Sequence, residues 1–417
     1  MRNILLSCCI LASVFLIIIS YTASSRMEYK HLKYQQQAKK DSERKFVGER
    51  LITKTRFFPQ GGDGITLDQP WPLANKDIIQ DADYFMEATN LRFIVSDFAY
   101  SKGLGNLMFQ YASLRALAKQ YSATVVVPEN SLLRRAFDLD AVFTTDEVVT
   151  QLTIDFADST VETTACCKFK ELNLFADGKN VAVVLGYLQS RRYFEPEFDE
   201  MIRAQFWFLE PINKLVDDFI KPLNAMAIVS QATRQNRDDV IRIERERGKI
   251  VKGRIGEDDD TDQTYVLQLD ETDLFWVGVH VRHGIDITMN SRNLEYGHSA
   301  APVEYYRRAM DEMRKRHSNA VFLVCGDDFH WAKQHITGKR KNEVFYCNAD
   351  SPREVDMALL VRMDGLIISP GTFSWWAAWL SRSKEVIYYG DWPTAGSALE
   401  RQLNRTEFFP AEWTAME

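Results

Sequence analysis

Residues 276–286, WVGVHVRHGID, are the stretch on which the reading of the fold turns. Residues 275–281 have the β-branched and aromatic richness of a buried strand, and the run stops abruptly at Arg282, His283, a glycine and an acid. In open α/β sheets, ligands bind just beyond the carboxyl ends of such strands. A guanidinium there is always charged and can grip two oxygens at once, so it suits a phosphate or carboxylate better than a core. The plainer reading of this segment taken alone is a strand end with solvated basic residues.

Outward from this segment the second half of the chain alternates. A strand over 275–281 is followed by a helix opened by Pro302, a strand over 320–325, a helix over 329–336 and a strand over 343–347. Then come a helix over 353–363, a strand over 365–369, a helix over 373–380 and a strand over 385–389. Alternating short strands and helices imply right-handed crossovers and a parallel sheet. The first half carries a second such unit. A strand over 93–98 leads into GLGNLMFQYASLRALAKQ (103–120), where Leu107, Tyr111, Leu114 and Ala118 recur at helical spacing. Strands over 123–127 and 181–185 follow, then apolar-periodic helices between about 197 and 228. Two α/β units imply a cleft between them.

Composition bounds the rest. The 417 residues are 46% hydrophobic, enough for a substantial core in two or three domain-sized units. A formal charge of -7 offers no basic face for nucleic acid, so any anion site must be local. Residues 4–21, ILLSCCILASVFLIIISY, form an uncharged apolar run of 18 residues behind Arg2, long enough for a tilted membrane span. We read it as an uncleaved anchor with a cytoplasmic N-terminus; a cleaved signal peptide is the competing reading. The predicted organisation is a cytoplasmic tip and anchor (1–23), a polar, proline- and glycine-broken stem (24–90) and an N-terminal α/β unit (91–230). A charged linker or insertion (231–273) and a second α/β unit (274–417) complete it. Within the linker, RDDVIRIERER (237–247) reads as a solvated helix with Asp238-to-Arg242 support, and GEDDDTD as a loop.

Cys8 and Cys9 lie in the apolar run, leaving Cys166, Cys167, Cys325 and Cys347 for a compartment that permits disulfides. Cys166 and Cys167 are adjacent and not expected to bond to each other. Neither pair has zinc-ligand spacing, so no structural metal is expected, and buried free thiols remain open. Asn404-Arg-Thr406 is the single glycosylation sequon.

Four loops would gather at strand carboxyl ends: Gly103-Leu-Gly105-Asn106, the Arg282 loop, Gly326-Asp327-Asp328, and Ser369-Pro-Gly-Thr372-Phe373-Ser374. The first and last each open a helix, whose free amides and dipole favour an anion such as phosphate. With Arg282 they make a pyrophosphate site that needs no metal. Each also has a plain alternative. GLGN can be a tight turn, Thr372 and Ser374 can be caps, Asp327 and Asp328 can be turn residues, and Asp356 can merely complement its helix dipole. Trp375, Trp376 and Trp379 read as core.

GLGNLMFQYA, GYLQSRRYF, VGVHVRHG, MALLVRMDGLIISPGTFSWWAAWLS and FFPAEW follow the order and spacing of α1,2-fucosyltransferases, glycosyltransferase family eleven, and the chain resembles that family from about residue 93 to its end. The resemblance implies a GT-B-like pair of Rossmann-type units behind a single transmembrane helix and stem. It further implies a type II Golgi enzyme with its catalytic region in the lumen. Such an enzyme transfers fucose from GDP-β-L-fucose to a galactose-containing glycan with inversion and without a metal or other cofactor.

Carried across, the family's His-x-Arg-Arg-x-Asp motif falls on His280, Arg282 and His283, with Arg282 on the donor pyrophosphate and His280 near the guanine. Two positions depart from it: His283 replaces the second arginine, and Ile285 takes the acidic place, with Asp286 one residue later. By the same carry-over Asp356 faces the guanine edge and Thr372, Phe373 and Ser374 the phosphates or ribose, while Leu107 replaces the usual glutamine of the glycine loop. Asp286, His283, Glu295 and Asp327 are all possible general bases. Acceptor choice is expected in loops of the first unit and in residues 290–298. The competing readings are a fucosyltransferase with a core N-glycan or protein acceptor, and a GDP-sugar-binding secretory protein of weak turnover, motivated by His283 and Ile285.

Overall fold

The computed structural model describes residues 77–96, 98, 103–163, 166–235, 239–244, 249–254, 265–266 and 274–417. The apolar run 4–21 and most of the expected stem lie outside these residues. Among the described residues no helix is long and apolar enough to cross a membrane.

The first α/β unit has strands β1 (Ile78–Ile79), β2 (Phe93–Val95), β3 (Thr124–Pro128), β4 (Val142–Thr144), β5 (Thr160–Glu162) and β6 (Val181–Leu185). They form a six-stranded sheet in the order β1-β4-β3-β2-β6-β5, parallel at every pairing. Period-2 alternation sends side chains to both faces. Ile94, Val125, Val127, Ala182 and Val184 join the core shared with helix α1 (Leu104–Tyr121), whereas Phe93, Val95, Val126, Val181 and Val183 pack with Val148, Val149 and Leu152 of the helix Asp146–Asp155. The strand expected over 93–98 stops at Val95, and Phe98 has a left-handed backbone (φ 46°) that ends the extended run. Strands β1, β4 and β5 escaped the sequence because two or three residues carry too little pattern.

The long helix α2 (Glu210–Gln235) runs out of this unit. The segment expected as a solvated helix at 237–247 is corrected: β7 (Asp239–Glu244), β8 (Lys249–Arg254) and β9 (Tyr265–Val266) form an antiparallel sheet. The Asp238-to-Arg242 pairing on which the helix expectation leaned is worth only about 0.2–0.5 kcal/mol. The β-branched Val240, Ile241, Ile243, Ile250 and Val251 favour the pleated alternative.

The second unit contains β10 (Phe275–Val281), helix α3 (Val303–Arg316), β11 (Ala320–Gly326), helix α4 (Phe329–His335) and β12 (Val344–Tyr346). It continues through helix α5 (Arg353–Val361), β13 (Gly365–Ile368), helix α6 (Thr372–Ser381), β14 (Glu385–Tyr389) and β15 (Thr414–Met416). The order β12-β11-β10-β13-β14-β15 is parallel throughout. Numbered from β10, this is 3-2-1-4-5-6, the doubly wound order. The chain steps outward from β10 on one side, then returns to its other side at β13, and the crevice at that reversal is where such sheets bind ligands. Val277, Val279, Val281, Phe322, Val324 and Ile367 face α3, and Leu323, Leu366 and Ile368 lie in the core that α5 and α6 share.

Helices α1 and α6 join the two units. Phe109 lies 4.5 Å and 4.9 Å, ring centre to ring centre, from Trp375 and Trp376, both fully buried; Trp379 is buried too, so all three tryptophans are core. The contact depends on Gly105. A Cβ there would lie 2.5 Å from the carbonyl carbon of Thr372 and 2.7 Å from the amide of Phe373, backbone atoms that cannot swing aside. Gly105→Ala is therefore expected to lower the thermal midpoint, at a cost of about 1–3 kcal/mol of overpacking. Without the contact the sign would reverse, because glycine inside a helix is worse than alanine by about 0.5–1 kcal/mol. A thermal melt decides between the two signs.

The cysteine expectation also needs correction. Cys166 and Cys167 are joined to each other, and Cys325 to Cys347. Adjacent Cα atoms are 3.8 Å apart, closer than an ordinary disulfide spans, which is why sequence separation argued against the first bond. In the fold both side chains are buried and the backbone on either side is tied down. Gln189 donates its amide to Cys166 O at 2.9 Å, and Asn404 donates its amide to Cys167 O at 3.3 Å.

Candidate functional site at the strand reversal between β10 and β13

The site grows from the carboxyl ends of β10, β11 and β13, which lie at one edge because the strands are parallel. His280, the penultimate residue of β10, is buried, and its Nδ1 is 2.6 Å from Ser369 Oγ at the end of β13. Burial, and then the charge of Arg282, holds its pKa down to about 3, so at neutral pH the ring is uncharged. It stacks on Phe373 with ring centres 5.0 Å apart.

Arg282 follows at the strand edge. Its Nη2 donates to Asp286 Oδ2 at 2.5 Å, and its Nη1 approaches Pro370 O at 3.4 Å. The displaced acid of the motif thus still faces the arginine: one helical turn, 285–288, carries Asp286 back to it. Gly371 has φ 123°, which favours glycine, and a Cβ there would meet Arg282 Nη1 at 2.5 Å. The Ser369-to-Thr372 turn therefore wraps the guanidinium closely.

The remaining sequence-selected residues fall into three groups. Thr372 Oγ1 donates to Asn106 Oδ1 at 2.6 Å, and the same oxygen accepts from Gln189 Nε2 at 3.0 Å. The glycine segment is accordingly not an open loop: Gly103 is the N-cap of α1, while Gly105 and Asn106 lie in its first turn against the start of α6. Ser374 is fully buried and its hydroxyl donates to Ser369 O.

A second group buttresses the loop after Arg282. Asp327 Oδ1 accepts the amide of His283 at 2.7 Å, and burial raises the Asp327 pKa. His283 stacks on Trp331, ring centres 4.3 Å apart, with its Nδ1 3.1 Å from Asp328 Oδ2. Asp328 caps α4 through the amide of Trp331, and that bond above all lowers its pKa. Histidine at the motif's second arginine is thus built into an aromatic and acidic seat of its own.

Asp356 stands apart from both groups, on the first turn of α5. Its carboxyl is buried, its Oδ1 has no hydrogen-bond partner among the described residues, and burial pushes its pKa up to about 7. With Cys325 and Cys347 it forms a cluster of metal-ligand types, but the two sulfurs are bonded to each other. Asn404, the sequon residue, is half-buried, and its Oδ1 accepts the amide and the hydroxyl of Thr406 at 3.2 and 2.9 Å.

Sequence reasoning named the segments that hold Gln189 and His298 but singled out neither residue. Gln189 lies in the GYLQSRRYF segment, and its link to Asn106 depends on β6 lying beside β2. His298 follows a left-handed glycine turn, and no local pattern marks it.

A doubly wound sheet that presents an arginine, wrapped by a glycine turn, at its strand reversal is an arrangement in which α/β domains take anionic ligands. Residues 265–417 match the sequence model of glycosyl transferase family 11. Among relatives, galactoside 2-alpha-L-fucosyltransferase Sec1 of Mus musculus is 30% identical over 143 residues, 34% of this chain and 38% of that protein. Alpha-1,2-colitosyltransferase of Escherichia coli is 32% identical over 148 residues, covering 34% and 47%. Both alignments span less than half of the relative. A longer one, to galactoside alpha-(1,2)-fucosyltransferase 1 of Mico humeralifer, has 26% identity over 324 residues, covering 75% and 72%. Solved structures similar to this chain include a mutant of Arabidopsis thaliana FUT1 in complex with GDP (TM-score 0.40, 12% identity, 77% and 75% covered). POFUT1 in complex with GDP-fucose is another (TM-score 0.40, 10% identity, 72% and 97% covered).

Proposed function

We propose that this protein is an α1,2-fucosyltransferase that moves L-fucose from GDP-β-L-fucose to a galactoside hydroxyl, inverting the anomeric carbon and using no metal. The observation that carries the reading is Arg282, held by Asp286 and the Gly371 turn at the strand reversal of the region that matches the family 11 model. As the donor bond breaks, positive character develops on the sugar and negative charge on the diphosphate. A fixed guanidinium stabilises that charge without reorganising, which is the work a divalent cation would otherwise do. His280, neutral and set against Phe373, would meet the guanine as a hydrogen-bonding group and not as a charge.

The two disulfides and the apolar run at 4–21 support a secretory-pathway enzyme with its catalytic region in the lumen, anchored in the Golgi membrane. Incubation with GDP-fucose and a panel of galactosides, core N-glycans and protein acceptors tests the proposal. We expect α1,2-fucosylated galactoside as the product, with the rate unchanged by a chelator. Fucosylation confined to another acceptor class, or GDP binding with no transfer, overturns it. A second reading is favoured by the colitosyltransferase among the relatives: the α1,2 linkage recurs in these names and the sugar does not. A donor panel offering GDP-colitose beside GDP-fucose separates the two.

A further inference from the structure

The motif residues that could take the acceptor's proton each hold another group. Asp286 is spent on Arg282, Asp327 holds the His283 amide, and His283 is seated between Trp331 and Asp328. Glu295 points to solvent and is exposed. Another titratable side chain near the guanidinium is His298. It feels the charges of both Arg282 and Asp286, and its buried Nδ1 has no hydrogen-bond partner among the described residues.

Its position is fixed from two directions. The His298 amide donates to Asn293 O at 3.0 Å, closing the helical turn 291–296. The preceding Gly297 (φ 119°) is pressed against Ser397, whose Oγ would lie 2.2 Å from a Cβ there, and it accepts the amide of Thr394 at 3.1 Å. The imidazole faces the ring of Trp392 at 6.3 Å. Trp392 in turn lines a small cavity with Ser369, Pro370, Gly371, Trp375 and Phe408, and Asn293, whose carbonyl holds the His298 amide, donates its Nδ2 to Asp286 O at 2.8 Å.

We propose that His298 Nδ1 is the general base of the transfer, a role that rests on the function proposed above. The acceptor O–H bond breaks as its oxygen bonds to the anomeric carbon, and the proton passes to Nδ1. The bond from that carbon to the diphosphate breaks, and its electron pair leaves with GDP. The charged groups acting on the ring are Arg282 and Asp286, with Tyr296 and Trp392 as its aromatic neighbours. Burial and then Arg282 hold the His298 pKa at about 4, so the ring is unprotonated and able to accept. A bound diphosphate offsets the Arg282 charge and makes the imidazole more basic when the proton must move.

The test compares the full chain with its His298→Gln variant. Loss of a positioned base is expected to lower kcat by about 100-fold or more. GDP binding and thermal midpoint should be unchanged, and the decline of kcat on the acid side of the pH profile should disappear. Wild-type transfer with an unimpaired variant, or a variant that keeps the acid-side decline, overturns this role alone. A wild-type chain that binds GDP and fucosylates no acceptor overturns the function and this role together.

Discussion

Replacing Arg282 by alanine is expected to remove transfer while leaving the fold in place. The side chain is partly exposed, its ion pair is with the exposed Asp286, and its contact to Pro370 O is long. An exposed pair of this kind contributes at most about 1 kcal/mol to stability. Removing a preorganised donor from a developing negative charge costs about 100- to 1,000-fold in rate, and losing a full bidentate charge costs at least the upper part of that range. Arg282→Lys should fall between, since it keeps the charge and loses the fork. Turnover, GDP affinity and a thermal melt on the two variants check this. Unchanged turnover in Arg282→Ala would take the residue out of the site, and a collapsed melt would make it a structural arginine.

Asp356→Asn is expected to do opposite things to stability and to binding. A carboxyl whose folded pKa is raised from 3.8 to about 7 is stabilising to bury only while protonated. Below pH 3.8 it is protonated in both states and costs nothing electrostatic. From there up to about pH 7 the unfolded chain ionises and the folded one does not, so stability falls across that window and stays reduced above it. About three pH units correspond to a ceiling of about 4 kcal/mol. The asparagine variant should gain on wild type by up to that amount between pH 4 and pH 8. Any fixed penalty of burying the amide cancels in that comparison. Urea melts at the two pH values measure the difference, and equal shifts at both would refute a strained buried acid.

Such an acid persists more easily if it serves a ligand. Its buried Oδ1 has no hydrogen-bond partner among the described residues, and it lies beside Cys325, the residue opposite His280 on the neighbouring strand. Weaker GDP binding in the more stable variant is the outcome that ties the strain to the nucleotide. Undiminished GDP affinity assigns Asp356 no part in it.

What could be read in advance followed the length of the pattern that each element carries. β10, β11, α3 and the tryptophan-rich α6 each span seven or more residues, and their periodicity stands in the sequence. β1, β4 and β5 have two or three residues and owe their existence to neighbours. The 237–247 segment went wrong because one favourable charge spacing was weighed above the β-branched Val240, Ile241 and Ile243. The glycine segment was placed near the Ser369 turn, and its form was not foreseen. Gly105 is explained by backbone pressed against it from a residue 267 positions later, a contact no local pattern encodes.

By itself the sequence determined the alternation of strands and helices, the tryptophan core, and an arginine delivered at the end of a buried strand. These depend on side-chain periodicity and on charge, which are local properties. The tertiary structure alone decided which groups meet: Asp286 turned back onto Arg282, His283 seated on Trp331, Cys166 bonded to Cys167, and His298 left with a buried nitrogen unfilled. Those outcomes depend on strand order and loop closure, which set distances between residues far apart in the chain. Partnership and burial, and through them each group's charge state, come into being only when the chain closes.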